Sequence, residues 1–144
     1  DIFVAVVYPV DIDNSRDLLD GNGKSLGWVM TLSNSKGYGG SITITLGITD
    51  QPGTDEVVSL NGIEFLSISE TAGLGMKAKN DEFKSQFKGK NVAKISYTKT
   101  GATADYEIDA LSGATITTNA MTNAVNAGLS YFNSINTNGG ENNE

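Results

Sequence analysis

The chain has 144 residues, enough for one domain with a buried core, and its 38% apolar and 19% charged residues place it among globular rather than disordered sequences. With 10 basic against 17 acidic residues it carries −7 at neutral pH, which argues against a nucleic-acid partner and against electrostatic docking on anionic lipid. It contains no Cys and no His, which excludes disulfides, thiolate or imidazole metal sites, Ser-His-Asp hydrolysis and the commonest general base.

What remains is carboxylate chemistry, oxygen-ligated metals, or an organic cofactor that brings its own reactivity. No apolar run approaches the length of a membrane span, and no signal peptide is evident. The chain opens abruptly on DIFVAVVYPV, apolar and β-branched from its second residue, which suggests a piece excised from something longer.

In chain order, DGNGK (Asp20–Lys24) reads as a turn and Ser25–Ser33 as a strand. Ser33–Gly40 is a polar, Gly-rich loop. Ser41–Thr49 alternates Ile42, Ile44, Leu46 and Ile48 with Thr43, Thr45 and Gly47, the period of a half-buried strand. Gln51–Asp55 is a second turn. Val57–Ser69 reads as one strand in which Asn61-Gly62 makes a bulge rather than a hairpin.

Glu70–Gly75 is a Gly-bearing loop. Asn80–Lys90 predicts a short helix, with Asn80 as cap, Phe83 and Phe87 one turn apart, and Gly89 at its end. Asn91–Lys99 alternates as a strand. Ile116–Ile135 is amphipathic, with Met121, Ala124, Val125, Gly128, Phe132 and Ile135 on one face. Asn136–Glu144 is polar and predicts a disordered tail, leaving 1–135 as the domain. The order of elements gives an α+β fold: a twisted, largely antiparallel sheet with a short helix and a long C-terminal helix. Trp28 is expected in the core and Met76 as a gap-filler.

The sequence carries Ser/Thr-Gly-Ala-Thr twice, at Thr100–Thr103 and at Ser112–Thr115. The first copy follows a strand and reads as a hairpin turn. The second ends where the long helix begins. Free N–H groups and the helix dipole there favour a phosphate, and Gly113 and Ala114 let a ligand approach the backbone. An ordinary capped helix explains the same letters without any ligand. Asp109 precedes Ser112 where Tyr97 precedes the first copy.

The stretch Asp109–Thr115, DALSGAT, resembles the D-x-x-S/T-G-A-T flavinylation motif of FMN-binding domains. GYGG (Gly37–Gly40), E-T-x-G-L-G (Glu70–Gly75) and F-x-x-Q-F-x-G-K (Phe83–Lys90) precede it in the order seen in the RnfG/NqrC-type branch, subunits of membrane ion-pumping redox complexes. The likeness runs from about Gly23 to Ile135. Ala72 departs from the usual Pro of the second motif.

That resemblance implies covalent FMN, joined by a phosphoester to Thr115, with Ser112, Gly113 and Ala114 shaping the phosphate pocket. Asp109 would position the loop or serve recognition by the transferase, if it does not simply form a turn. Leu74 would contact the flavin ring, Thr71 and Gly75 would offer polar contacts, and Tyr38 would stack or pack. The resemblance also implies an ApbE-type flavin transferase as maturation partner, other subunits of a redox complex as working partners, and no catalytic residue or metal of the chain's own. The domain would be an electron-transfer subunit rather than a stand-alone enzyme, on the extracytoplasmic face of the membrane behind an N-terminal anchor. Rival expectations are a module that holds FMN noncovalently and an exported structural domain without cofactor.

Overall fold

In the computed structural model, which describes residues 10–49 and 59–142, the alternation at Ile42–Thr49 becomes the middle strand of a five-stranded sheet. The strands are β1 (Val10–Leu19), β2 (Ser25–Asn34), β3 (Ile42–Thr49), β4 (Ser59–Ser67) and β5 (Lys90–Asn91), ordered as numbered and antiparallel throughout. Ile42, Ile44, Leu46 and Ile48 are all buried on one face, as β-branched and aliphatic side chains at period 2 require.

β1 was not foreseen. Its sequence, VDIDNSRDLL, is rich in residues that strands disfavour. It is an edge strand whose ladder is supplied by β2, and it bulges at Asp13, whose carboxylate accepts the Ser33 hydroxyl at 2.7 Å. DGNGK is the turn of this hairpin: Asp20 Oδ1 accepts the N–H groups of Asn22 and Lys24. The predicted bulge in β4 is present, since Gly47 pairs with Gly62 and Ile48 with Leu60, leaving Asn61 extra. The turn expected at Gln51–Asp55 lies outside the described residues.

The short helix is tighter than its pattern predicts. A 3-10 turn at Gly75–Lys79 leads into α1 (Asp81–Lys84), and a second 3-10 turn covers Ser85–Phe87. Asn80 stands at the N-cap but makes no side-chain cap bond. Phe83 and Phe87 are both buried, with ring centroids 5.4 Å apart and edge to face. Lys84 at the end of α1 pairs with Glu64 on β4 at 2.5 Å.

Two expectations fail between Asn91 and Asp109. The strand predicted over Asn91–Lys99 is broken, leaving β5 and then β6 (Ser96–Thr98). Between them Ile95 is buried, and its N–H and C=O bond to Oδ1 and Nδ2 of the buried Asn126 at 2.7 and 2.8 Å. A side-chain amide therefore replaces a neighbouring strand. β6 then pairs in parallel with β7 (Glu107–Asp109), so the first tetrapeptide lies in a crossover loop and not in a hairpin turn.

The long helix α2 runs Thr115–Asn142, past the boundary at Asn136 that the apolar pattern suggests. Met121, Ala124, Val125, Gly128 and Phe132 are buried, and the Ile135 side chain lies outside the described residues. A Cβ on Gly128 would collide with the Leu46 side chain, so this glycine lets α2 approach β3 closely. Trp28 meets Phe132 edge to face at 6.2 Å. Asn34, fully buried at the end of β2, donates to Ala120 O at 3.0 Å and accepts Lys36 N–H at 2.8 Å. It ties the start of the GYGG loop to α2.

The Asn126 contacts predict that Asn126→Leu destabilises the chain although it is more apolar. It strands the buried N–H and C=O of Ile95 without partners, at a cost of about 2–4 kcal/mol. Urea unfolding should show the loss as a lower midpoint at constant slope.

Candidate functional site

The loop entering α2 is fixed by a single hydroxyl. Thr118 Oγ1 accepts Leu111 N–H at 3.0 Å and donates to Ala114 O at 2.9 Å. Ala114 N–H in turn reaches Leu111 O at 3.1 Å. Gly113 takes φ +70°, a conformation that strains other residues, and a Cβ there would stand 3.3 Å from Leu74 Cδ2. Ser112–Ala114 therefore form a tight corner after which the helix starts at Thr115.

At that start the N–H groups of Thr115, Ile116 and Thr117 have no acceptor within the helix, and no acidic residue occupies its first turn. They face a cleft of about 490 Å³, a size suited to a small cofactor. Seven of the residues singled out by sequence line it: Tyr38, Thr71, Leu74, Gly75, Gly113, Ala114 and Thr115. Ile116 and Thr117 line it too and were not foreseen. Their places beside Thr115 in the first turn of α2 are the signal that was available.

The walls differ in chemistry. Leu74, Ile116 and Tyr38 are 43%, 53% and 70% exposed, leaving apolar surface open to a planar ligand. The helix end offers hydrogen-bond donors and the half-buried Thr115 hydroxyl to an anion. FMN has those same two parts, a flat apolar ring system and a phosphate, so these residues fit it.

Asp109 and Ser112 do not join this cleft. They line a second, separate cleft with Lys77, Asn80, Phe83 and Gln86. Asp109 is held by Gln86, whose Oε1 accepts Asp109 N–H at 2.6 Å and whose Nε2 donates to Asp109 O at 3.2 Å. The Asp109 carboxylate accepts Ala102 N–H at 2.6 Å, in the first tetrapeptide. Asp109 thus fastens the two copies together. Trp28 is half-buried against the core, and Met76 is half-buried with its sulfur 3.4 Å from Glu70 N.

Glu107 fastens the first copy as well. Its Oε1 accepts the N–H groups of Thr103 and Ala104 at 3.1 Å and the Thr103 hydroxyl at 3.3 Å. The N–H groups of Ala104 and Thr103 hold its carboxyl below the usual Glu range.

Glu70 is the residue that sequence left without a role. Its Oε1 accepts Tyr38 N–H at 2.9 Å and the Thr117 hydroxyl at 2.6 Å, and its Oε2 accepts Gly39 N–H at 2.5 Å. It joins the GYGG loop to the first turn of α2. A Cβ on Gly75 would stand 2.5 Å from Thr117 Oγ1 and 2.7 Å from Glu70 Cβ, which is why glycine is needed in that wall.

A tight corner opening a helix, with free donors at one end of a cleft and an apolar rim at the other, defines a domain that holds a flat, phosphate-bearing cofactor. The chain belongs to the FMN-binding domain family, whose model matches residues 37–130. It is 34% identical over 113 residues to the G subunit of the ion-translocating oxidoreductase complex of Methanosarcina acetivorans, covering 78% of this chain and 55% of that protein. It is 31% identical over 116 residues to the G subunit of the Na⁺-translocating ferredoxin:NAD⁺ oxidoreductase complex of Acetobacterium woodii, covering 79% and 53%. Its fold is that of NqrC from Shewanella oneidensis, with a TM-score of 0.56 and 22% identity over 78% of this chain and 52% of that one. The chain spans about half the length of these relatives.

Because the folded-state pKa of Glu107 is depressed, its hold on the loop is complete above the ordinary Glu value of 4.5 and is lost as pH falls through the lower folded value. An NMR titration of the Thr103 and Ala104 amides should give a midpoint below 4.5. Glu107→Gln should abolish that transition, and a midpoint at or above the ordinary value would contradict the geometry.

Proposed function

We propose that this domain carries FMN covalently on Thr115 and serves as a one-cofactor electron carrier in a membrane ion-translocating redox complex, of the Rnf ferredoxin:NAD type or the sodium-pumping quinone reductase type. The observation that supports this most directly is the placing of the Thr115 hydroxyl at the start of α2, beside the free N–H groups of the first turn and inside the cleft that Leu74 and Ile116 line. The relatives are subunits of ion-translocating oxidoreductase complexes, which supports the working partners.

Bound FMN supplies one- and two-electron transfer, which suits a chain without His or Cys. The chain's tasks are then to tether and orient. The first-turn N–H groups hold the phosphate end, and Gly113 keeps the corner narrow enough for the ligand to reach them. Leu74, Ile116 and Tyr38 offer the ring a surface that excludes water from one side.

Attachment proceeds by attack of Thr115 Oγ on the flavin-side phosphorus of FAD. The Oγ–P bond forms, the P–O bond to the adenylate breaks, AMP departs, and the hydroxyl proton passes to a base. Among the described residues no carboxylate hydrogen-bonds the Thr115 hydroxyl, and a neutral Thr hydroxyl is a weak nucleophile. An ApbE-type transferase, with its own Mg²⁺, supplies that base. Asp109 and Ser112 lie in the second cleft, which Thr115 does not line, where the transferase can read them. Among the described residues no helix is long and apolar enough to cross a membrane. The domain works on the extracytoplasmic face, held there by an N-terminal membrane helix outside this sequence.

The chain co-expressed with a flavin transferase should gain the mass of one FMN less one water after denaturation, and Thr115→Ala should not. Retention of the adduct in Thr115→Ala with loss in Thr103→Ala would transfer the site to the first tetrapeptide. A yellow folded protein that loses its colour on denaturation would make the binding noncovalent, and a colourless one would leave a structural domain.

A further inference from the structure

We infer that Glu70 is a positioning residue for the cofactor: its carboxylate clamps the GYGG loop to the first turn of α2 and thereby builds the cleft wall that carries Tyr38. The inference rests on the FMN reading of the cleft, and it goes beyond the attachment motif. Glu70 does not itself line the cleft, so it acts through what it holds.

The two carboxylate oxygens divide their work. Oε1 bridges the loop and the helix by accepting Tyr38 N–H and the Thr117 hydroxyl, and Oε2 takes Gly39 N–H. Among the described residues no Lys or Arg forms an ion pair with Glu70, so its charge is balanced by these dipoles and by the nearby start of α2. The Tyr38 side chain is 70% exposed, so the loop is not held by burial of its own aromatic ring. What fixes the wall is the backbone bonding to Glu70.

The glycines around the clamp fit this assignment. A Cβ on Gly39 would collide with Ser69 O and stand 2.9 Å from Glu70 Oε2. One on Gly75 would run into Thr117 Oγ1 and the Glu70 stem. Both glycines are thus pressed against the clamp. The contact brings together residues from the β2–β3 loop, the segment after β4 and the helix.

Glutamine cannot replace the carboxylate. It offers one accepting oxygen and turns an NH₂ donor toward a donor. On the FMN-free chain, amide hydrogen exchange by NMR should be about tenfold faster at Tyr38 and Gly39 in Glu70→Gln, the loss of roughly one hydrogen bond. Thr117→Val, which removes only the helix-side donor, should raise the same rates several-fold, and Thr117→Ser should return them to wild type. Glu107→Gln, a carboxylate of similar type at the other loop, should leave these amides unchanged. In the flavinylated protein, Glu70→Gln and Thr117→Val should lose the visible circular dichroism that a fixed flavin ring gives, and Thr117→Ser should keep it.

Unchanged Tyr38 and Gly39 exchange in Glu70→Gln overturns the clamp. If that variant does not fold, the Thr117→Val and Thr117→Ser pair decides by the same amides. A wild type that takes up no FMN defeats the functional reading instead, and the exchange rates of the FMN-free chain still test the clamp.

Discussion

The site depends first on how closely α2 lies on the sheet. Gly128 lets the helix sink onto Leu46 and Leu32, and Met121, Ala124 and Val125 fill the interface with fully buried side chains. A helix packed on a sheet through fully buried side chains has little freedom to tilt. Its N-terminus is therefore aimed by the core. The loops that meet it then need only to be tied to a fixed point, and Asn34, Thr118 and Glu70 tie them.

Those ties share a chemistry. In a chain without Cys or His, side-chain oxygens do the cross-linking that disulfides or metals perform elsewhere. Asp20 closes the β1–β2 turn, Glu70 the GYGG loop, and Glu107 and Asp109 the crossover loop, each by accepting backbone N–H groups. Turn and loop N–H groups without a ladder partner must be satisfied somehow. A carboxylate accepts several at once and binds them more strongly than a neutral oxygen does. Part of the acidity that seems to say only that the protein avoids nucleic acid is thus structural.

Legibility follows from how far apart the interacting residues lie. β3, the bulge at Asn61, the buried face of α2 and the corner before Thr115 were all readable, because period-2 alternation, glycine geometry and helix spacing are local properties. β1 was not, since its Asp- and Asn-rich sequence is held extended by β2 rather than by its own preference. The broken strand at Ile95 depends on Asn126, 31 residues on, which takes the place of a strand neighbour. Glu70 bonds to partners 32 residues before and 47 residues after it, so no window of sequence contains the clamp. The DALSGAT segment stood out because its chemistry is contiguous; the far walls, Tyr38, Thr71, Leu74 and Gly75, were reached only through the family resemblance.

The two tetrapeptides show why matching letters do not make matching sites. Both have a glycine at positive φ, Gly101 at 99° and Gly113 at 70°, and both end in a threonine. In the first, the N–H groups around the threonine are already spent on Glu107 and Asp109, and the Thr103 hydroxyl donates to Glu107. In the second, a helix follows at once, and its opening N–H groups have no intrahelical acceptor. A phosphate can be held only where donors are left over. The first copy's donors are taken up by carboxylates, whereas the second opens onto the unused N–H groups at the positive end of α2. The difference is made outside the motif, by a strand that supplies Glu107 to one copy and a helix that supplies unused donors to the other.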